Sequence, residues 1–115
     1  MEVEVDVIGD VIVLHLKGKM WTDKDSALFR GKFYEYIERG KSKFVVDFAM
    51  AEHLDTRGRN ALLAAKEVAV KNNGDIKLAC LPGRITRILE ISEVLKRFEV
   101  FDSVEAAVKS FQEKG

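Results

Sequence analysis

The strongest constraint on the fold is the way the hydrophobic period changes along the chain. Two apolar segments near the start, residues 3–7 and 11–16, are predicted strands separated by the turn signal Gly9-Asp10. From Lys43 onward, short apolar strands alternate with segments of helical period. Such alternation requires parallel pairing with right-handed crossovers, whereas the first two strands form an antiparallel hairpin. The sequence therefore predicts a single α/β domain, with a mixed β-sheet of four to five strands and about four α-helices.

The boundaries of these elements follow from caps and breakers. Thr22 or Asp23 caps the first predicted helix, and Gly40 ends it. The later strands are predicted at residues 43–48, 75–81 and 98–101, with a loop at 49–54. Further helices are predicted at residues 57–72, around 85–89, and after the Asp102-Ser103 cap. No linker divides the sequence, so residues 1–115 are predicted to form one domain.

Composition excludes several classes of function. The 19 basic and 19 acidic side chains cancel, and no long basic run occurs, so nucleic-acid binding is not expected. No apolar run approaches the roughly 20 residues that span a bilayer, and the start lacks a signal-peptide pattern. We therefore expect a cytoplasmic protein without membrane insertion.

The usual carriers of catalysis or metal binding are isolated in the sequence. His15 lies in a predicted strand and His53 in a loop, and neither spacing pairs them with Cys80. Cys80 is the single cysteine, and it is predicted to be a small buried hydrophobe in a strand. Neither a dinucleotide-binding nor a P-loop glycine pattern is present. The sequence predicts a protein that is not an enzyme and has no cofactor or metal site.

Three features at helix starts remain as candidates for function. Asp55 and Thr56 open the long helix, where a side-chain oxygen caps free amides and added negative charge is favoured. Thr56 is therefore either a plain helix-start residue or a reversible charge switch. Arg57 and Arg59 place positive charge against the helix dipole, which hints at a nearby anion. Trp21, before the first helix, either packs inward or is an exposed anchor for a partner.

Five motifs together resemble the STAS domain, the fold of bacterial anti-sigma factor antagonists, over essentially the whole chain. They are similar to its glycine corner, its V-x-D-L strand, its I-D-S-x-G signature, its V-x-R-x-L-E helix and its F-x-I-F-x-S-x-E-x-A ending. In order, they lie at residues 16–20 (LKGKM), 45–48 (VVDF), 54–58 (LDTRG), 84–90 (RITRILE) and 98–107 (FEVFDSVEAA).

The resemblance implies a phosphorylation switch in bacterial transcription control. Unphosphorylated, such a domain binds an anti-sigma factor that is also a serine/threonine kinase, and so frees the sigma factor. The kinase phosphorylates the hydroxyl after the signature aspartate, which falls on Thr56, and a phosphatase resets it. Asp55 then caps the turn, and Gly58 lets the partner backbone approach. Arg57 and Arg59 contact partner acid or phosphate, and Trp21 is a rim anchor.

The chain departs from the family pattern around this switch. Thr56 stands where serine is usual, Arg57 and Arg59 replace small or apolar residues, and Trp21 falls where many phosphorylated members carry aspartate. Two alternatives stay open. One is a STAS subunit of a stressosome-type scaffold or a lipid-transport complex without a phosphoswitch. The other is a small-molecule or nucleotide-binding module that uses the same helix start. Weak homodimerisation is compatible with each.

Overall fold

The computed structural model describes residues 1–19 and 22–113. The strands in this part of the chain are β1 (Glu2–Ile8), β2 (Val11–Gly18), β3 (Lys43–Ala51), β4 (Asp75–Ala79) and β5 (Val100–Phe101). The α-helices are α1 (Asp23–Glu38), α2 (Thr56–Lys71), α3 (Gly83–Ile91) and α4 (Val104–Gln112), and a 3-10 turn spans Leu95–Arg97. The strand order in the sheet is β1-β2-β3-β4-β5. β1 pairs antiparallel with β2, and every other neighbouring pair is parallel. The predicted mixed α/β sheet is confirmed.

The sheet buries both of its faces, because alternate side chains of each strand point to opposite sides. On one face, β2 contributes Leu14 and β3 contributes Val46 to a core that also contains Phe33 of α1, Leu62 of α2 and Leu89 of α3. The rings of Phe33 and Phe44 have centroids 4.6 Å apart in this core. Three helices therefore cover this face.

The second face carries a smaller core under α4. Val13 and Val45 of the sheet pack there with Val108 and Phe111 of the helix. Lys77 is also buried on this side, only 1% exposed, and its Nζ donates a hydrogen bond of 2.7 Å to Ser110 Oγ. The ammonium group lies 4.2 Å from the centroid of the Phe111 ring. These contacts fasten α4 to the face opposite the other three helices.

β3 is longer than the sequence predicts. Residues 49–51 were predicted as loop, but they continue the strand, and this part of the prediction is wrong. After an irregularity in β2 between His15 and Lys17, Lys17 pairs with Met50 and Gly18 with Ala51. Long-range pairing with β2 thus overrides the weak strand propensity of this alanine-containing segment. The extension carries the chain to the carboxyl edge of the sheet, close to the start of α2.

Cys80 also differs from its prediction. β4 ends at Ala79, and Cys80 follows with a left-handed φ of 60° and a half-buried side chain. The predicted continuation of the strand to residue 81 and the full burial of Cys80 are therefore wrong. Its backbone N–H is nevertheless used, because it donates to the Phe101 carbonyl at 3.0 Å. Burial and the neighbouring Asp47 carboxylate raise the pKa of the Cys80 thiol, which disfavours a reactive thiolate.

Candidate functional site at the start of helix α2

The start of α2 is fixed by the Asp55 side chain. Asp55 has extended backbone angles, and its Oδ1 accepts from the backbone N–H of Arg57 at 3.0 Å and of Gly58 at 3.3 Å. These are two of the amides that a helix leaves without an internal partner. The predicted capping role of Asp55 therefore agrees with the geometry of this turn.

The charge of Asp55 is held by its surroundings. Partial burial alone would raise the pKa of its carboxyl. The hydrogen bond from the Arg57 side chain and the two backbone amides outweigh burial and lower the pKa below its ordinary value. Asp55 thus stays a carboxylate, and its second oxygen is occupied by the Arg57 guanidinium, with Nη2 at 2.9 Å.

Thr56 occupies the first position of the helix and is exposed. Its Oγ1 accepts a hydrogen bond of 2.8 Å from Nη2 of Arg59, one turn further along the same helix. The cap is made by Asp55 and not by Thr56, so the threonine hydroxyl is not needed to start the helix.

The two arginines of this turn have different partners. Arg57 pairs with Asp55 at 2.9 Å and approaches Asp23 of α1 at 3.7 Å. The hydrogen bond that the Arg57 guanidinium donates to the Asp55 carboxylate raises the pKa of that guanidinium. The Arg59 guanidinium donates to Thr56 Oγ1 and, at 3.5 Å, to the Leu54 carbonyl, and no carboxylate of residues 1–19 or 22–113 forms an ion pair with it. Arg59 is therefore a cation without a counter-charge beside an exposed hydroxyl.

The structure brings further residues to this edge that the sequence reasoning did not include. Arg84 at the start of α3 donates through Nε to the Glu52 carbonyl at 2.8 Å and through Nη2 to the Ala51 carbonyl at 3.5 Å. It therefore tethers the loop before α2 across 32 residues of sequence. A cavity of about 330 Å³ lies between α1 and α2, lined by Asp23, Ser26, Arg30, Arg57, Asn60, Ala61 and Ala64.

The structure places two of the three remaining residues, Gly58 and His53, and does not describe Trp21. Gly58 is buried in the first turn of α2, and its role toward a partner stays a prediction. Trp21 lies outside the described residues, so its proposed role as a rim anchor also stays a prediction. His53 is exposed in the loop that leads into α2.

His15 is not isolated, although its spacing in the sequence suggested that it was. Its Nδ1 lies 2.6 Å from Asp47 Oδ2, and its Nε2 lies 2.8 Å from Asp6 Oδ2. Burial alone would lower the pKa of His15, but the hydrogen bonds to Asp47 and Asp6 raise it above its ordinary 6.5. The sequence alone did not reveal this cluster, because the register of the strands is needed to place side chains of β1, β2 and β3 together on one face.

No group of three or more His, Cys, Asp or Glu side chains in the described ranges is arranged to hold a metal ion. Among the helices that the structure describes, none combines the length and the apolar character needed to cross a membrane. The arrangement at the start of α2 is thus an exposed hydroxyl, on a capped turn, that accepts a hydrogen bond from a guanidinium with no ion pair to the described residues. Chemically, it can accept a group on oxygen and can bind an anion.

Comparison with known proteins identifies the family. The model of the STAS domain family matches residues 2–107 of the chain. BtrV of Bordetella bronchiseptica, named as a candidate anti-sigma factor antagonist, is 25% identical over 113 residues, which cover 97% of this chain and 96% of BtrV. The chain belongs to the STAS domain family, as the sequence motifs predicted.

Solved structures show the same fold. The anti-sigma factor antagonist SpoIIAA in its unphosphorylated form superposes with a TM-score of 0.85 at 15% identity, covering 97% of each chain. The phosphorylated form of SpoIIAA from Bacillus superposes with a TM-score of 0.76 at 15% identity, covering 96% of this chain and 99% of that one. A candidate anti-sigma factor antagonist from Thermotoga maritima gives 0.84 at 16% identity, covering 94% of this chain and 92% of that one.

Proposed function

We propose that this protein is an anti-sigma factor antagonist, a cytosolic binding module without catalysis of its own. With Thr56 unmodified, residues 1–115 act as one STAS domain that binds an anti-sigma factor with serine/threonine kinase activity and so releases a sigma factor. The observation that carries the proposal is the exposed Thr56 hydroxyl in the capped first turn of α2. The likeness of the whole chain to BtrV, itself named as a candidate antagonist, supports it.

The switch step is a phosphoryl transfer from ATP held by the kinase partner. The Thr56 oxygen forms a bond to the γ-phosphorus as the bond from that phosphorus to the ADP oxygen breaks. The hydroxyl proton passes to a base of the kinase, and ADP leaves. A phosphatase reverses the change with water, which gives the free Thr56 hydroxyl and inorganic phosphate.

The local geometry allows this modification without refolding. Asp55 supplies the cap, so α2 keeps its first hydrogen bonds when the Thr56 oxygen is substituted. Phosphate adds about 1.5 to 2 negative charges at neutral pH. An exposed phosphate at a helix start is well tolerated, whereas in a docked interface it costs desolvation and repulsion. Phosphorylation would therefore weaken binding while the domain stays folded.

The surface offered to the partner, which we call the switch surface, consists of Asp55, Thr56, Arg57 and Arg59. Gly58 is buried in the same turn, and we keep it as the residue that lets the partner backbone approach. Arg84 holds the neighbouring loop in place, and Trp21 is the predicted anchor at the rim. Two arginines and one aspartate give the unmodified switch surface a net positive charge. We therefore propose that the partner presents acidic side chains here, since complementary charge favours correct docking.

The test compares bait proteins with a neutral or a negatively charged side chain at position 56. Wild type, Thr56→Ala and Thr56→Glu are used for affinity capture from native cytosol, and the retained partner is then purified for calorimetry. Ala106→Glu is the matched control, because it adds the same charge to the first turn of α4 on the opposite side of the sheet. We expect Thr56→Glu to lose roughly tenfold or more in affinity, about 1.4 kcal/mol, while Thr56→Ala and Ala106→Glu stay close to wild type.

The partner must be an ATP-binding anti-sigma factor for the proposal to stand. Equal capture of the same scaffold or transporter subunits by every bait would contradict it. That result would favour a STAS subunit without a phosphoswitch.

A further inference from the structure

The two arginines in the first turn of α2 are not equivalent. The Arg57 guanidinium is already neutralised, because it bonds Asp55 through Nε at 3.3 Å and Nη2 at 2.9 Å and lies 3.7 Å from Asp23. Within residues 1–19 and 22–113, the Arg59 guanidinium bonds neutral oxygens only, those of Thr56 and Leu54. One of the two cations is therefore available to a new anion.

The available cation lies at the atom that would carry the phosphate. Nη2 of Arg59 is 2.8 Å from Thr56 Oγ1, which is the oxygen that would be bonded to phosphorus. The phosphorus would then lie one bond beyond Oγ1 and the phosphate oxygens two bonds beyond it, within reach of the forked guanidinium donors. Arginine binds phosphate well in this way because its planar fork presents parallel N–H groups.

We propose that Arg59 is an intramolecular clamp that binds a phosphate on Thr56 and fixes it against the start of α2. This inference rests on the proposed phosphorylation of Thr56 and specifies the residue that controls its outcome. Arg57 does not share this role, because it would first have to leave Asp55. Arg84 does not share it either, because it donates to the Glu52 and Ala51 carbonyls and, within the described residues, forms no hydrogen bond to Thr56.

With Arg59 present, phosphorylation changes the sign of the net charge of the switch surface. Asp55 and Arg57 cancel each other as a pair, so Arg59 leaves the unmodified surface at one positive charge. A phosphate dianion held by Arg59 brings the same surface to about one negative charge. A partner with acidic side chains at this position would meet attraction before phosphorylation and repulsion after it. Arg59 thus couples the modification to the charge that a partner encounters.

The experiment places phosphothreonine at position 56 through an expanded genetic code, so that neither kinase nor partner is needed. The phosphate is titrated by phosphorus NMR in the wild-type background, in Arg59→Gln and in Arg57→Gln. Arg57→Gln is the matched control, because it removes the same charge from the same helical turn. A fourth chain, Arg59→Lys, keeps the charge but lacks the fork. Thermal unfolding of the four chains verifies that each is folded.

We expect the second pKa of the phosphate in Arg59→Gln to be higher than in wild type by about half a unit, because an exposed ion pair with Arg59 favours the dianion only modestly. Arg59→Lys should fall between these two. Arg57→Gln should raise the phosphate pKa less than Arg59→Gln does, because Arg57 bonds Asp55 and not the Thr56 oxygen. Superimposable titrations of wild type and Arg59→Gln, or a larger shift in Arg57→Gln, would overturn the clamp. Because no partner takes part, failure here is distinguishable from failure of the antagonist function, which the capture experiment tests.

Discussion

Replacing Asp55 with alanine should destabilise the whole domain, although the residue lies near the surface. The alanine methyl group cannot accept from the Arg57 and Gly58 amides, and Gly58 is buried, so water reaches its amide poorly. Loss of an N-cap costs about 0.5–2 kcal/mol. The lost ion pair with Arg57 adds about 0.2–1 kcal/mol, at the low end because that guanidinium is 52% exposed.

We therefore expect Asp55→Ala to lower the free energy of unfolding by about 1.5–2 kcal/mol, and Tm by about 6–8 °C for a domain of this size. Asp55→Asn is the matched control, because asparagine caps a helix about as well as aspartate. It should lose only the charge contribution, roughly 0.3–1 kcal/mol.

The two variants are measured by urea unfolding followed by circular dichroism at pH 7 and at acid pH. The pKa of Asp55 is lowered in the folded state, so its charge contributes stability above the unfolded value of 3.8. That contribution is lost as the pH falls through the folded pKa, and the difference between wild type and Asp55→Asn should disappear there. An Asp55→Ala protein as stable as wild type at pH 7 would refute the reasoning, since it would mean that the cap does not hold α2.

Two further predictions concern residues away from the switch surface. The raised pKa of His15 means that its two carboxylate bonds stabilise the fold fully below about pH 6.5, and that this stability is lost as the pH rises through the folded pKa. In chemical denaturation from pH 6 to 9, the free energy of unfolding of wild type should therefore fall towards that of His15→Gln. A difference between the two proteins that stays constant with pH would count against the network. A Cβ on Gly74 would lie 1.8 Å from the Ser42 carbonyl oxygen, so Gly74→Ala should lower the free energy of unfolding by about 2 kcal/mol or more. Gly31→Ala, an exposed helical position with open space around it, should instead stabilise by about 0.5–1 kcal/mol, and equal melting temperatures for the two would contradict this packing.

Local signals in the sequence were sufficient for the element order and for the switch turn. Hydrophobic period and caps located the strands and helices, and Asp55 was recognised as a cap because its contacts lie within three residues. The family motifs supplied the role of Thr56, which no local pattern specifies.

Contacts between distant segments were not predictable in this way. The extension of β3 depends on pairing Met50 with Lys17, and the position of Arg84 depends on a bond across 32 residues. The His15 cluster needs the register of three strands. The difference between Arg57 and Arg59 also needs coordinates, because both are arginines in the first turn of one helix and the sequence does not show which of them pairs with a carboxylate. Sequence reasoning had assigned them a single shared role.

The most direct test of the account is to map phosphate on the protein after incubation with the captured kinase partner and ATP. Mass spectrometry of the intact chain and of its peptides locates the site. The account predicts one phosphoryl group, on Thr56, and none in Thr56→Ala, with the phosphorylated chain released from the partner. Phosphate on another residue, or a kinase that hydrolyses ATP and binds the chain yet leaves Thr56 unmodified, would contradict it.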